Sequence, residues 1–198
     1  LLRTAADLKI GLYENLEAQR LIIEQGRVAG ALFNTPHGPR AIRARRAVIL
    51  ATGGFPHDAL RQQTLFGHVR AGTPHASAAP VENNGAGLRL GEQAGGQVRA
   101  DLADAGAWAP VSLPPRRDGS VGRYPHLIDR AKPGLIAVTA DGRRFVNEAG
   151  PYHDFMRALF AATPPGQSVA AWLICDSRFL HRYGPVSYTH LTLPTKRI

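Results

Sequence analysis

Three short stretches carry residue types whose spacing could do chemistry. In "VILATGGF", Val48 to Phe55, an apolar run ends in Ala51-Thr52-Gly53-Gly54. Backbone without side-chain bulk at the carboxyl edge of an α/β sheet is where such sheets bind ligands. Glycine there lets the chain approach a phosphate or ribose closely, although a plain strand-to-helix turn would use the same residues. "GAGLRLG", Gly85 to Gly91, is a near miss for the dinucleotide fingerprint: the third glycine falls one residue late, with Leu90 in its place, and the preceding residues do not read as a strand. A helix N-terminus aiming its N–H groups at a cofactor is the remaining way it could bind one. "GRRFVNEAGPYHDF", Gly142 to Phe155, sets Tyr152 beside His153 and Asp154. A phenol with a pKa of about 10 is a base only where its phenolate is stabilised; a tyrosine opening a helix can equally be packing. His153 and Asp154 are helical neighbours that point apart. Asp154 reads as a helix-start residue, and His153 as solvated or supporting.

These stretches need elements to hold them. Leu1–Tyr13 begins at helical spacing and then turns extended. "EAQRLIIEQGRVAGALFN" reads as two strands around the turn Gln25-Gly26. "AIRARRAVILAT" reads as a third strand, alternating at first and then continuously apolar over Ala47–Ala51, as expected of a strand covered on both faces in a parallel sheet. A helix is predicted from His57-Asp58, with Asp58 near its N-terminus, and another from about Gly85 to Ala94, closed by glycine. The irregular, proline-rich stretch "QVRADLADAGAWAPVSLPP" is a candidate boundary between two domains. Asp141-Gly142 turns a hairpin that returns Phe145 and Val146 to the core. Asn147 and Glu148 then fix the chain's exit through hydrogen bonds to backbone. "PYHDFMRALFAA" is amphipathic, with Phe155, Ala158, Leu159 and Ala162 on one stripe, and "SVAAWLICD" reads as another buried strand.

Composition narrows the function classes. The 198 residues are enough for one large or two small domains. No apolar run approaches the roughly 20 residues of a bilayer span, and no signal peptide is visible. The chain opens without methionine, as if inside a helix, and reads as an internal fragment. The single cysteine, Cys175, excludes an internal disulfide and a multi-cysteine metal site, and a cytoplasmic setting is expected. The net charge of +9 allows a nucleic-acid or anionic-lipid binding module. The arginines are scattered over turns, however, with no interleaved aromatic ladder, so no nucleic-acid partner is expected. The last residues, "PVSYTHLTLPTKRI", resemble translated adapter sequence, and 185–198 is expected to be a non-native tail.

Taken in order, the meander, "ILATGGF", the "GAGL" helix ending in "AGG", and "GLIAVTADGRRFVNEAGPY" resemble the flavoproteins of the fumarate reductase and succinate dehydrogenase superfamily. The branch most resembled is that of the 3-ketosteroid Δ1-dehydrogenase-like enzymes. The resemblance implies an α/β fold: a Rossmann-like FAD-binding domain with a β-meander, interrupted by a capping or catalytic domain. On it, residues 1–104 belong to the FAD-binding domain and 105–184 open the cap. FAD is the implied cofactor, with Ala51, Thr52, Gly53 and Gly54 against its ADP half and Gly85 and Ala86 at the later helix. Many relatives have an aspartate where Ala86 stands, which puts a side-chain contact there in doubt.

The resemblance also places the tyrosine. In fumarate reductases a proton-donating arginine stands four residues beyond the glutamate of "NE"; here Tyr152 holds that position. Those enzymes also carry an earlier substrate-binding histidine, and "DAGAWAPVS" has none. Both departures fit the ketosteroid pattern, in which a tyrosine after "NE" is the base and aromatic residues line an apolar pocket. Tyr152 is then the catalytic base, and Trp108 faces a flat apolar ketone. The implied reaction is α,β-dehydrogenation, by removal of an α-proton and passage of a hydride to flavin, with an unidentified electron acceptor. The chain alone is expected to be inactive. The runner-up is reduction of a small unsaturated acid, for which Arg116, Arg117 or Arg123 would have to clamp carboxylates.

Overall fold

The computed structural model describes residues 1–99, 101 and 106–184. The division at 104/105 and the 185–198 tail lie outside the described residues. Two compact units emerge, one of Leu1–Phe55 with Asn83–Arg99, the other of Pro56–Glu82 with Ala100–Ile198.

The first unit opens with α1 (Leu2–Asp7), followed by β1 (Glu17–Glu24), β2 (Arg27–Asn34) and β3 (Arg40–Arg43). The three strands form an antiparallel meander in the order β1-β2-β3, turning at Gln25-Gly26 as the sequence predicts. Helix α4 (Ala86–Gln93) covers it; Leu90 joins Leu21 and Ala31 in a buried cluster, against which Ala18, Val28, Phe33, Val48 and Ala94 pack. The amphipathic pattern of α4 is what makes this possible: one apolar stripe meets the meander while Arg89 and Glu92 lie on other faces.

The expected third strand differs. Pairing stops at Arg43, and residues 47–51 run extended without a strand partner among the described residues. Ile49 is 88% exposed, so the parallel sheet expected around this run does not form here, and every strand pairing described is antiparallel. A continuous apolar run records a need for cover on both faces, which elements packed over a sheet supply.

The second unit contains α2 (Ala59–Leu65), α3 (Gly67–Arg70), β4 (Val111–Ser112), β5 (Tyr124–Pro125), a 3-10 turn (Asp129–Ala131), β6 (Leu135–Val138), α5 (Tyr152–Ala162), β7 (Trp172–Cys175) and α6 (Ser177–Tyr183). Asp58 caps α2 by accepting from the Arg61 N–H at 3.1 Å, the role expected of a short acidic side chain at that position. Asp176 caps α6 in the same way, accepting from the Phe179 N–H at 2.7 Å. β4 pairs with β5 and β6 with β7, both antiparallel.

The turn at Asp141-Gly142 forms, closed by Gly142 N–H to the Thr139 carbonyl at 2.9 Å. Its return arm is a single bridge between Val138 and Arg144, while β6 pairs along its length with β7. β7 is not the buried strand expected from "SVAAWLICD": Trp172 and Ile174 are 53% and 52% exposed. As the edge of a two-stranded ribbon it has one wet face. Helix α5 keeps its predicted stripe, burying Phe155 and Leu159, while Ala162 lies exposed.

Candidate functional site

In the first unit the two glycine-bearing stretches meet. Gly85 N–H donates to the Gly54 carbonyl at 3.2 Å, and the loop Ala51-Thr52-Gly53 lines one side of a cavity of about 300 Å³ whose other wall is α4, through Gly87, Leu88, Gly91 and Glu92. Two glycines set this approach. Gly53 has φ +77, and a Cβ built on it would lie 2.6 Å from Asn83 Oδ1. A Cβ on Gly87 would overlap Thr52 Oγ1. The loop therefore presses against the helix only because bulk is missing on both sides.

The start of α4 completes the arrangement. Its N-cap is Gly85, at φ 80, and it has neither a side-chain cap nor an acidic residue in its first turn. First-turn N–H groups without a capping side chain carry the positive end of the helix dipole and suit an anionic ligand. Arg89 folds back on this segment, donating to the Asn84 carbonyl at 2.6 Å and to its side-chain oxygen at 3.0 Å. A glycine-walled cradle at an uncapped helix start fits a nucleotide phosphate or ribose. The six residues singled out here from sequence, Ala51 to Gly54 with Gly85 and Ala86, are thus brought together.

In the second unit Tyr152 is the first residue of α5, behind Pro151, and the residue is 41% exposed. Helix position and exposure together leave the phenol accessible near the positive end of a helix dipole. The segment leading to it is held by two buried charged residues. The Glu148 carboxylate accepts from the Ala137 N–H at 2.8 Å and from Arg144 Nη2 at 2.5 Å, which is the backbone-fixing role expected of it. Burial alone would raise its pKa, but Arg144 and the Ala137 N–H outweigh burial and hold it below the usual glutamate value. Arg130, 2% exposed, donates from Nη1 to the Glu148 carbonyl and from Nε to the His126 carbonyl at 3.1 Å. Its guanidinium lies 5.4 Å from the Phe155 ring centre, one helical turn along α5 from Tyr152. Burial lowers the Arg130 pKa while the Asp129 charge opposes that shift.

Arg130 was not singled out from sequence. Its partners are backbone carbonyls, the one that ties it to the Tyr152 segment 18 residues away, and a carbonyl leaves no residue-type signal in the sequence. The nearby "HLID", with His126 and Asp129 three residues apart, is a spacing that could have drawn attention to this loop.

Trp108 is 8% exposed and sits in an aromatic group. Its ring meets Phe66 edge-on at 4.8 Å, His68 at 5.0 Å and Phe160 at 6.1 Å. With His68, Phe160, Pro164, Gln167 and Val169 it lines a cavity of about 240 Å³, and no arginine or lysine is among the lining residues. His75 packs behind it, its pKa lowered to about 4 by burial first and then by the charges of His68 and His57. His153 turns its Nδ1 to the Trp108 backbone N–H at 3.2 Å, while Asp154 is exposed. Phe160 is eight residues beyond Tyr152 on the same helix, about 12 Å of rise. Tyr152 and the cavity beside Phe160 are therefore separated along the helix. Arg116, Arg117 and Arg123, the candidate carboxylate clamps, are all exposed on or beside the turn that precedes β5.

No group of three or more metal-ligating side chains occurs among the described residues, and no described helix is long and apolar enough to cross a membrane.

Comparison with known proteins bears on both units. A family model described as "FAD binding domain" matches residues 1–190. A 4-oxocyclohex-2-ene-1-carboxylate 5-dehydrogenase from Sinomonas cyclohexanicum is 36% identical over 161 residues, covering 81% of this chain and 27% of that protein. A 3-oxosteroid 1-dehydrogenase from Mycobacterium tuberculosis is 34% identical over 176 residues, covering 82% of this chain and 29% of its own length. Among solved structures, 3-ketosteroid Δ1-dehydrogenase from Sterolibacterium denitrificans, in complex with 1,4-androstadiene-3,17-dione, superimposes with a TM-score of 0.76 at 31% identity. It covers 92% of this chain and 32% of its own. The chain thus spans under a third of the length of these relatives.

Proposed function

The chain belongs to the FAD binding domain family, on its 3-ketosteroid Δ1-dehydrogenase-like branch, and on that premise we propose that it is part of a flavin-dependent dehydrogenase that desaturates a ring ketone beside its carbonyl. The observation that carries this reading is the accessible phenol of Tyr152 opening α5, held by the buried Arg130–Glu148 network, in a chain whose other unit offers a glycine-walled nucleotide cradle. Relatives named for oxo-substituted rings support the substrate class.

In this reading Ala51–Gly54 and the start of α4 at Gly85-Ala86 hold the ADP half of FAD by backbone contact. Bound FAD supplies the acceptor for the hydride. Tyr152, at the first turn of α5, takes the proton from the carbon next to the carbonyl. Trp108 and Phe160 give the second unit an apolar aromatic wall suited to a flat ring. Residues 1–104 form part of the FAD-binding portion and 105–184 open the cap, although Pro56–Glu82 cluster with the second unit. Because so much of each relative lies beyond the matched region, activity is expected of the longer protein and not of this chain in isolation.

Product analysis tests the reading. The flavin-loaded, full-length protein should convert a 3-oxosteroid or a 4-oxocyclohexanecarboxylate to the conjugated enone with an artificial electron acceptor present. Inertness toward both ketones, together with reduction of fumarate, would overturn it.

A further inference from the structure

The β4–β5 ribbon carries a hydrogen-bonded chain of side chains that the dehydrogenase reading does not use. Ser112 Oγ lies 2.6 Å from His126 Nε2, and His126 Nδ1 lies 2.7 Å from Asp129 Oδ2. The imidazole is 3% exposed and the Asp129 carboxylate 12%, whereas Ser112 is only half-buried. The order of the three groups is informative. A carboxylate on Nδ1 fixes the tautomer that carries its hydrogen there, so Nε2 is left to accept the serine hydroxyl proton. A histidine that merely needed its ring nitrogens satisfied could use backbone groups in any order. A nucleophile, its base and the base's orienting group must stand in this order.

A fourth group stands on the same face. Ser112 is directly opposite Tyr124 in the strand register, and His126 follows Tyr124 by two residues, with its N–H on the Pro110 carbonyl at 2.8 Å. Opposite residues and residues two apart share one side of a ribbon. The Tyr124 ring packs edge-on at 5.0 Å from the imidazole. Burial first, and the Asp129 charge second, raise its phenol pKa, so it remains a hydrogen-bond donor. A tyrosine hydroxyl is among the donors that stabilise a developing oxyanion.

We propose that Ser112, His126 and Asp129 form a nucleophilic acyl-transfer site, with Tyr124 as the oxyanion donor, that accepts carboxylic esters. Ser112 Oγ attacks the ester carbonyl carbon while its proton passes to His126 Nε2. The ester C–O bond then breaks, the leaving alkoxide takes that proton, and an acyl group remains on Ser112. Water attacks the acyl carbon, giving its proton to His126. The Ser112–acyl bond breaks, the proton returns to the serine oxygen, and a carboxylic acid leaves. The net reaction is hydrolysis; nothing is oxidised or reduced, and no flavin is needed. Asp129 holds the imidazole throughout.

The test uses the full-length, flavin-loaded protein and a fluorophosphonate probe, read by intact mass and peptide mapping. One adduct on Ser112 is expected, with none in Ser112→Ala, whose flavin absorbance should match the parent. His126→Gln should slow labelling by at least about 100-fold; if that variant loses its flavin, Asp129→Asn takes its place with the same expectation. Hydrolysis of p-nitrophenyl acetate should fall in parallel. Failure of Ser112 to label while a control serine hydrolase labels fully would overturn the proposal. So would labelling of Ser112 at an unchanged rate in a folded His126 or Asp129 variant.

Discussion

At the scale of single residues, the proposed base Tyr152 and the buried Glu148 predict different losses. Tyr152→Phe removes only the hydroxyl of a residue that is 41% exposed, so the fold and flavin content should survive while kcat falls by about 10²–10⁴. Glu148→Ala acts differently. It strips the Ala137 N–H and Arg144 of their shared acceptor, and the loss of a buried hydrogen-bonded carboxylate should cost about 1–3 kcal/mol in denaturant unfolding. His75 gives a pH signature. Its pKa is lowered from 6.5 to about 4 in the folded state, so between those values the unfolded chain binds a proton that the folded chain does not. Stability then rises with pH across that window and falls on acidification from 6.5 toward 4. A series of melting temperatures over this range should show the decline, and His75→Phe should flatten it. The tyrosine was legible in the sequence because it follows a recognisable run, "GRRFVNEAGPY". Arg130 and Ser112 were not, since Arg130 reaches a carbonyl 18 residues away and Ser112 a ring 14 residues away.

At the scale of elements, what could be read from sequence was what is decided locally. The Gln25-Gly26 turn, the Asp58 cap, the start of α4 and the buried stripe of α5 each follow from residues within a turn of one another. The apolar run at 47–51 and the strand at Trp172–Cys175 went otherwise, because burial of a strand is settled by what packs on its faces and not by its own composition. The closest approach in the first unit, Gly87 of α4 against Thr52, offers a test at this scale. Gly87→Ala should drive the helix off the loop, costing about 1–3 kcal/mol by overpacking and weakening FAD binding by at least about tenfold. Thr52→Ala removes the oxygen that the new methyl would strike. The double variant should therefore recover part of the lost melting temperature, and a flavin titration of both variants checks whether binding follows.

At the scale of the whole molecule, the substrate is the open choice between relatives named for one-ring and for steroid ketones. Tyr152 and Phe160 are about 12 Å apart along α5, so a single ring held at Tyr152 does not reach the Trp108 cavity, while a longer fused-ring ketone has the length to approach it. Trp108→Leu should accordingly raise KM for a 3-oxosteroid several-fold and leave KM for a one-ring ketone nearly unchanged. Equal effects on both would remove Trp108 from the substrate wall. The net charge of +9 gives no comparable guide, because no arginine or lysine lines that cavity. The most direct measurement is anaerobic stopped-flow mixing of the flavin-loaded, full-length protein with a 3-oxosteroid, following loss of the oxidised flavin absorbance. The parent protein should bleach rapidly, and Tyr152→Phe, with the same flavin content, should bleach at least about 100-fold more slowly. Equal bleaching rates in the two proteins would contradict a proton-abstracting Tyr152, and no bleaching in either would contradict the ketone dehydrogenase itself.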